Sequence, residues 1–195
     1  MRKLLCVLFL LYALSTFFCG CGTQALDEPV LAKTLKSQQG DIVISVPDNW
    51  VEDSVYMDIM VLKISDNISA YAQVYYLAYD EQYLTLDDFL DERLIIYSDD
   101  YTGEVQTLEI GGMAAKKFEY IYEDFTENFE EAKFHGFEYL IDAPKGVVYI
   151  DIYNTLINPK SETDEVSTPQ QRRLLESIAE SVRIGKTESE TGGET

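Results

Sequence analysis

Lys133-Phe134-His135-Gly136-Phe137-Glu138-Tyr139-Leu140-Ile141, then Ala143-Pro144-Lys145-Gly146, then Val147-Val148-Tyr149-Ile150-Asp151-Ile152-Tyr153, reads as two β-strands joined by a tight turn. Both runs are rich in aromatic and β-branched residues, which suit a pleated, half-buried surface. Pro and Gly stand where a hairpin turn uses their backbone preferences. Val148, Ile150 and Ile152 alternate with Tyr149 and Asp151, so the sheet they form has two unequal faces.

The same signals recur outward from this hairpin. Strands are expected over Asp41 to Val46, Tyr56 to Ile64, Ser69 to Tyr79, Val105 to Ile110 and Ala114 to Tyr122. In the last of these Phe118, Tyr120 and Tyr122 alternate with Lys117 and Glu119, and Gly111-Gly112 supplies positive φ for a turn before it. Two segments carry a helical period instead. Leu86 to Tyr97 has apolar residues at 86, 89, 90, 94 and 97, with Thr85 as cap and Asp88 three residues on. Thr168-Pro169-Gln170-Gln171 opens the second with a cap, an N-terminal proline and a capping-box glutamine. Leu174, Leu175, Ile178, Ala179 and Val182 form its stripe, and Gly185 is expected to stop it. Seven strands in hairpins with two amphipathic helices predict an α+β domain, an antiparallel β-sheet flanked by helices.

The chain has 195 residues, and its ends read differently from its middle. Arg2 and Lys3 precede an apolar run from Leu4 to Phe18, then Cys19-Gly20-Cys21, the pattern of a secretion signal too short to span a bilayer. Phe18-Cys19-Gly20-Cys21 resembles a bacterial lipobox, which implies that residues 1–20 are removed and that Cys21 is lipidated with a diacylglycerol. Two acyl chains suffice for stable anchoring, at about 0.8 kcal/mol per buried methylene. Residues 21–32 are expected to be a tether, 33–185 the globular domain, and 186–195, which lack apolar residues, a disordered acidic tail. The expected location is the extracytoplasmic face of a cell membrane, held there by lipid.

Charge and cysteine usage narrow the function. With 35 acidic and 15 basic residues the formal charge is −20, and removal of Arg2 and Lys3 would take it to −22. Such a surface repels nucleic acid, so no nucleic-acid partner is expected. All three cysteines, Cys6, Cys19 and Cys21, lie in the leader or at the lipidation site, which leaves no thiol for disulfide, zinc or nucleophilic chemistry in the domain. His135 is the single histidine, so neither a histidine triad nor a multi-histidine metal site can be assembled. No hydrolase or phosphate-binding motif is present. Close carboxylate pairs are unavoidable in so acidic a chain and by themselves carry no information about glycoside hydrolysis. Asp99-Asp100-Tyr101-Thr102-Gly103-Glu104 and Glu123-Asp124-Phe125-Thr126-Glu127-Asn128 are acid-rich, yet neither has the regular ligand spacing of a twelve-residue calcium loop. No cofactor and no metal are expected.

Tyrosine is the other excess, at fourteen residues. Tyr71 and Tyr75 share a strand face with Gln73, while Ala72, Val74 and Tyr76 share the opposite one. The first pair is the candidate ligand-binding surface, for a glycan or peptide; the alternative is ordinary strand packing.

Ile42-Val43-Ile44-Ser45-Val46-Pro47-Asp48-Asn49-Trp50, an apolar strand ending in a Pro-x-x-Trp corner, resembles the PsbP-like family. Thr85-Leu86-Asp87-Asp88-Phe89, Gly111-Gly112-Met113-Ala114-Ala115 and the closing segment Ser177 to Arg183 fall in that family's order, so the resemblance spans about 40–185. It implies an α/β/α sandwich without a shared catalytic site, as in bacterial lipoproteins of the DcrB type. The expected function is then a non-catalytic protein-interaction or docking module of the cell envelope with a protein partner. The alternative is capture of a small ligand, glycan or cation by a tyrosine-lined or acidic face, and a carboxylate enzyme is the weakest reading.

Overall fold

The hairpin at 133–153 is the centre of the structure, a computed structural model that describes residues 28–37, 41–53, 60–80, 84–96, 104–126, 128–161 and 163–185. Ten strands and two helices are described. In chain order they are β1 (Lys33–Lys36), β2 (Ile42–Val46), β3 (Val51–Glu52), β4 (Met60–Ser65), β5 (Ala70–Ala78), α1 (Leu86–Ile96), β6 (Gln106–Ile110), β7 (Met113–Phe125), β8 (Glu131–Ala143), β9 (Gly146–Ile157), α2 (Pro169–Glu180) and β10 (Arg183–Ile184). Strands β8 and β9 pair antiparallel from Ala143↔Gly146 to Ala132↔Ile157. Around them grows a seven-stranded sheet in the order β3-β4-β5-β9-β8-β7-β6, and β1-β2-β10 form a second, smaller sheet. All pairings are antiparallel. The fold is α+β, as the hairpin and helix signals predict.

Strand alternation divides the large sheet between two layers. One face presents Ala72, Val74, Phe137, Tyr139, Ile141, Val148, Ile150 and Ile152, which pack with Leu175, Ile178 and Ala179 of α2 and with Ile42, Ile44 and Val46 of the small sheet. Fully burying one such aliphatic side chain contributes about 1.5–3 kcal/mol, so this layer holds the domain together. The other face presents Phe118, Tyr120, Leu140, Val147 and Tyr149 to Leu86, Phe89 and Leu90 of α1. Pro47 and Trp50 make a tight turn through Trp50 N–H to Pro47 O (3.1 Å), and the indole is buried in the first layer.

Local signals behave as their chemistry requires. Thr168 and Gln171 form the reciprocal capping box, Gln171 N–H to Thr168 Oγ1 at 3.2 Å and Thr168 N–H to Gln171 Oε1 at 2.8 Å. Asp88 accepts from the Leu84 and Thr85 amides and the Thr85 hydroxyl, and these donors hold its carboxyl below the usual carboxylate range. Gly111 and Gly112 adopt φ of +60° and +82° in the β6–β7 turn.

Two expectations need correction, and a third is tested only in part. The second helix stops at Glu180 rather than at Gly185: Ser181 caps it, its hydroxyl donating to Ile178 O (2.7 Å) while accepting from the Ser45 amide (2.8 Å). Val182 is buried beyond the helix end, and β10 then joins β2. Second, β1, β3 and β10 are strands that the sequence pattern does not announce, because runs of two to four residues are too short to show a period. Third, the strand expected from Tyr56 begins at Met60 in the described part, and 54–59 lie outside it. Cys21 with the leader, most of the tether, Asp99 to Gly103, Glu127 and the acidic tail also lie outside the described residues. No described helix is long and apolar enough to cross a membrane.

Candidate functional site: an aromatic groove beside a buried carboxyl pair

Helix α1 covers one end of its sheet face. Toward the other end the strands carry rings. Tyr71, Gln73 and Tyr75 from β5 lie beside Tyr149, Asp151 and Tyr153 of β9, because Tyr71↔Tyr153, Gln73↔Asp151 and Tyr75↔Tyr149 are directly paired. Tyr71 stacks on Tyr153 with centroids 5.6 Å apart, Tyr75 on Tyr149 at 5.2 Å, and Tyr122 on Phe134 at 4.7 Å. The Phe134 and Tyr153 rings meet edge to face at 5.8 Å, which joins the two stacks. The result is an open groove of about 650 Å³ floored by Tyr71, Gln73, Phe134 and Tyr153. Lys63, Thr155 and Asn128 supply polar groups to its wall. Ile68, Phe125 and Ile157 rim it and are exposed.

Gly136 makes this arrangement possible. It sits between Tyr120 and Tyr153 in register, and a Cβ there would lie 2.5 Å from Tyr120 Oη and 2.6 Å from Tyr153 Cβ. Only a residue without a side chain lets both tyrosines lean over the strand.

Between the groove and α1 lies a polar cluster. Arg93 reaches from α1 onto Glu138 in a forked pair, Nε to Oε2 at 3.0 Å and Nη2 to Oε1 at 2.5 Å. The Tyr149 hydroxyl donates to Glu138 Oε1 (2.8 Å) and accepts from Arg93 Nη2 (2.8 Å), and the guanidinium carbon stands 4.8 Å from the Tyr149 ring centroid. The Glu138 side chain is 0% exposed, so its charge is satisfied from within the protein. Asp151 is Glu138's direct cross-strand partner. It is half-buried and accepts a hydrogen bond from the Tyr120 hydroxyl at 2.5 Å. Burial, and then the neighbouring Glu138 charge, push the Asp151 carboxyl up to about 7; the Tyr120 bond and Arg93 offset part of this. Its charge reaches Tyr75 and Tyr153, whose pKa values are raised first by burial and next by Asp151.

The structure therefore divides the two tyrosines singled out from sequence. Tyr71 floors the groove. Tyr75 packs instead with the α1 cluster, its hydroxyl donating to Gln73 Oε1, and forms the boundary between groove and polar cluster. Arg93, Glu138, Asp151 and Tyr153 were not indicated by any motif, although position 93 falls seven residues after Leu86 and four after Phe89, on the apolar stripe. A charged residue at a stripe position and carboxyls within apolar strands are the signal that points to them.

The remaining candidates lie elsewhere. His135 is buried on the α2 side, its Nε2 2.6 Å from Glu119 Oε1, and Arg172 reaches the same oxygen at 2.5 Å. The Arg172–Glu119 ion pair, with His135 hydrogen-bonded to the same carboxylate, ties α2 to the sheet. Glu123, Asp124 and Glu131 crowd the end of the β7–β8 hairpin, where Lys133 pairs with Glu123 at 3.6 Å. Among the described residues no group of three or more His, Cys, Asp or Glu side chains is arranged to hold a metal ion.

No protein-family model matches the sequence, and no curated protein sequence does. Solved structures are similar in fold. A protein of Bacteroides thetaiotaomicron VPI-5482 is 10% identical, with a TM-score of 0.50 over 82% of this chain and 51% of that one, so this chain spans about half its length. LpqN, involved in cell envelope biogenesis of Mycobacterium tuberculosis, is 15% identical over 79% of this chain and 91% of its own, with a TM-score of 0.47. The Saccharomyces cerevisiae Ran-binding protein Mog1p is 13% identical over 78% and 94%, also at 0.47. Identities this low speak to fold alone.

Proposed function

We propose that this chain is a lipid-anchored extracytoplasmic lipoprotein of the cell envelope, PsbP-like and of the DcrB type, whose domain is a non-catalytic binding module that captures a small organic ligand in the aromatic groove. The observation that carries this reading is the open half of the α1 face, where Tyr71, Phe134 and Tyr153 are only half-buried around a groove of about 650 Å³. Aromatic floors with a few polar groups at the walls are the usual make-up of ligand sites. Lipidation at Cys21 would hold that groove at the membrane while the acidic surface keeps it clear of anionic headgroups.

A second reading, docking of an envelope protein, is favoured by the exposed apolar rim of Ile68, Phe125 and Ile157 and by Phe129 at the hairpin tip, 87% exposed. The two are separable with the full chain in detergent. Ligand capture requires that a cell-wall glycan fragment, a muropeptide or a small organic solute raise the melting temperature, and that Tyr71→Ala with Phe134→Ala abolish the shift. If no such compound acts and Phe125→Asp with Phe129→Asp instead abolish a stoichiometric complex with one envelope protein, the docking reading replaces it. Membrane retention lost in Cys21→Ala tests the anchor, and retention unchanged would overturn it.

A further inference from the structure

Nine large apolar side chains are exposed among the described residues, and six of them, Val30, Val51, Ile68, Phe125, Phe129 and Ile157, stand at one end of the molecule. The other three, Leu84, Ile95 and Ile96, belong to α1 and the residues before it. Register fixes that end. Phe125 pairs with Glu131, Ile157 with Ala132, Ala70 with Asn154, and Ser65 with both Tyr71 and Val51. The β4–β5 and β7–β8 turns therefore project together, opposite the turns at Gly111 and Lys145. The chain enters the fold at the same end. Lys33 opens β1 opposite Val46, and its ammonium donates to Trp50 O (2.8 Å), one residue before Val51. Glu28, Pro29 and Val30 lie against Pro47 and the first turn of α2, which the bond from Asn154 Nδ2 to Ser167 Oγ (2.8 Å) ties to β9.

Both turns hold their apolar residue outward through local bonds. In the first, Asp66 Oδ1 accepts from the Ile68, Ser69 and Ala70 amides at 2.8, 2.9 and 3.0 Å. In the second, Phe129 has φ of +61°, and its amide donates to Thr126 O (2.8 Å). A bulky side chain is an outlier at positive φ, where glycine or asparagine costs less, and a ring left in water adds nothing to the core. Neither local conformation nor packing calls for phenylalanine there, which points to a contact outside the chain.

We propose that this end of the domain is a membrane-contact surface, with Ile68, Phe125 and Phe129 dipping into the headgroup–acyl boundary of the bilayer that holds the lipid anchor. The inference rests on the anchor at Cys21 proposed above and adds how the domain lies beside it. Cys21 precedes Glu28 by seven residues, a span of at most about 25 Å. A tether that short, joining the fold beside Val30, keeps the apolar tips close to lipid. It also makes a weak second contact effective, because the tips are held at high local concentration. The contact is apolar rather than ionic. Lys63 and Lys133 at this end are paired with Asp53 (3.2 Å) and Glu123 (3.6 Å), while Asp124, Glu130 and Glu131 lie next to Phe125 and Phe129 in the hairpin. Those carboxylates oppose anionic headgroups and confine the contact to the tips. The mouth of the groove, rimmed by Ile68, Phe125 and Ile157, then opens at the lipid–water boundary.

The test reconstitutes the lipidated chain in phosphatidylcholine vesicles, with and without bromine on the acyl chains. Trp50, the single tryptophan, is buried and serves as the internal reference. Phe129→Trp should add an emission that brominated lipid quenches about twofold or more, whereas Lys145→Trp, at the opposite end, should add one that is not quenched. Ile68→Asp with Phe125→Asp, placed in the Phe129→Trp chain, should reduce the quenching while native circular dichroism and flotation with the vesicles persist. Replacing about a third of the lipid by phosphatidylglycerol should weaken the quenching, and added salt should restore it. A chain that floats with the vesicles while Phe129→Trp is quenched no more than Lys145→Trp overturns the proposal and leaves the anchor standing. Quenching that rises with anionic lipid overturns it as well. So does shielding of the tip only after an envelope protein is added, which would favour the docking reading. A chain that does not float overturns anchor and contact together.

Discussion

Glu138 and Asp151 are directly paired across β8 and β9, yet Glu138 is locked in a forked ion pair with Arg93 whereas Asp151 accepts from the Tyr120 hydroxyl. Two carboxyls side by side on one face of a sheet repel each other, and a single guanidinium settles the charge of one. Burial of Asp151 first, and the neighbouring Glu138 charge second, give this face its pH response.

Asp151 is the source of that response. Its folded-state pKa, raised to about 7 by burial and then by Glu138, lies above the value near 3.8 of an unperturbed aspartate. The folded state therefore holds the proton more tightly, and this contribution is present in full below pH 3.8 and is lost as pH rises through 7. Asp151→Asn removes the loss, so relative to wild type it should gain about 2–4 kcal/mol between pH 4 and pH 8. Urea denaturation across that range checks it; a pH-independent difference would contradict the assignment.

Arg93 protects a fully buried charge. Arg93→Met leaves Glu138 without its partner and should cost about 3–5 kcal/mol, whereas Arg93→Met with Glu138→Leu should recover most of the loss. A double-mutant cycle by chemical denaturation measures the coupling, and additive losses would show that the pair is not coupled.

Gly136 is required sterically rather than for positive φ. A Cβ would also meet Ile152 O at 2.7 Å, so Gly136→Ala should destabilise by about 1–3 kcal/mol through displacement of Tyr120 and Tyr153. The near-ultraviolet circular dichroism of the tyrosines should change with it. An unaltered spectrum and stability would mean that the rings do not lean on this position.

Tyr139 behaves in the opposite way. Its hydroxyl is buried on the α2 side and has no hydrogen-bond partner among the described residues, and burial first and the Glu180 and Glu176 charges next raise its pKa. Removing an unsatisfied hydroxyl costs no hydrogen bond, so Tyr139→Phe should be neutral or stabilising by up to about 1 kcal/mol. Thermal unfolding of the pair of proteins decides, and a clear loss of stability would reveal a partner for the oxygen.

Much of the fold is legible because its signals are local. The 133–153 hairpin, the Gly111-Gly112 turn and the Thr168 capping box each depend on residues a few positions apart, and each occurs where the pattern places it. The end of α2 is less legible, since Val182 fits the helical stripe equally well. What ends the helix is the Ser181 hydroxyl bonding to Ser45, 136 residues away, together with pairing of β10 to β2. Strand β1, Lys-Thr-Leu-Lys, has no apolar pattern of its own and exists because β2 offers it an edge.

The site shows the same division. By itself the sequence determined the alternation that puts Tyr71, Gln73 and Tyr75 on one face, because side-chain direction along a strand has a period of two. It determined the α+β class in the same way, from periods and turn residues. The tertiary structure alone decided that Tyr71 faces an open groove while Tyr75 packs toward α1, that Arg93 forms its ion pair with Glu138, and that Asp151 accepts from the Tyr120 hydroxyl. Those outcomes depend on which strands become neighbours and where one helix comes to rest. Register between β5, β9 and β8 brings residues 73, 151 and 138 into one row, and no local period encodes that pairing.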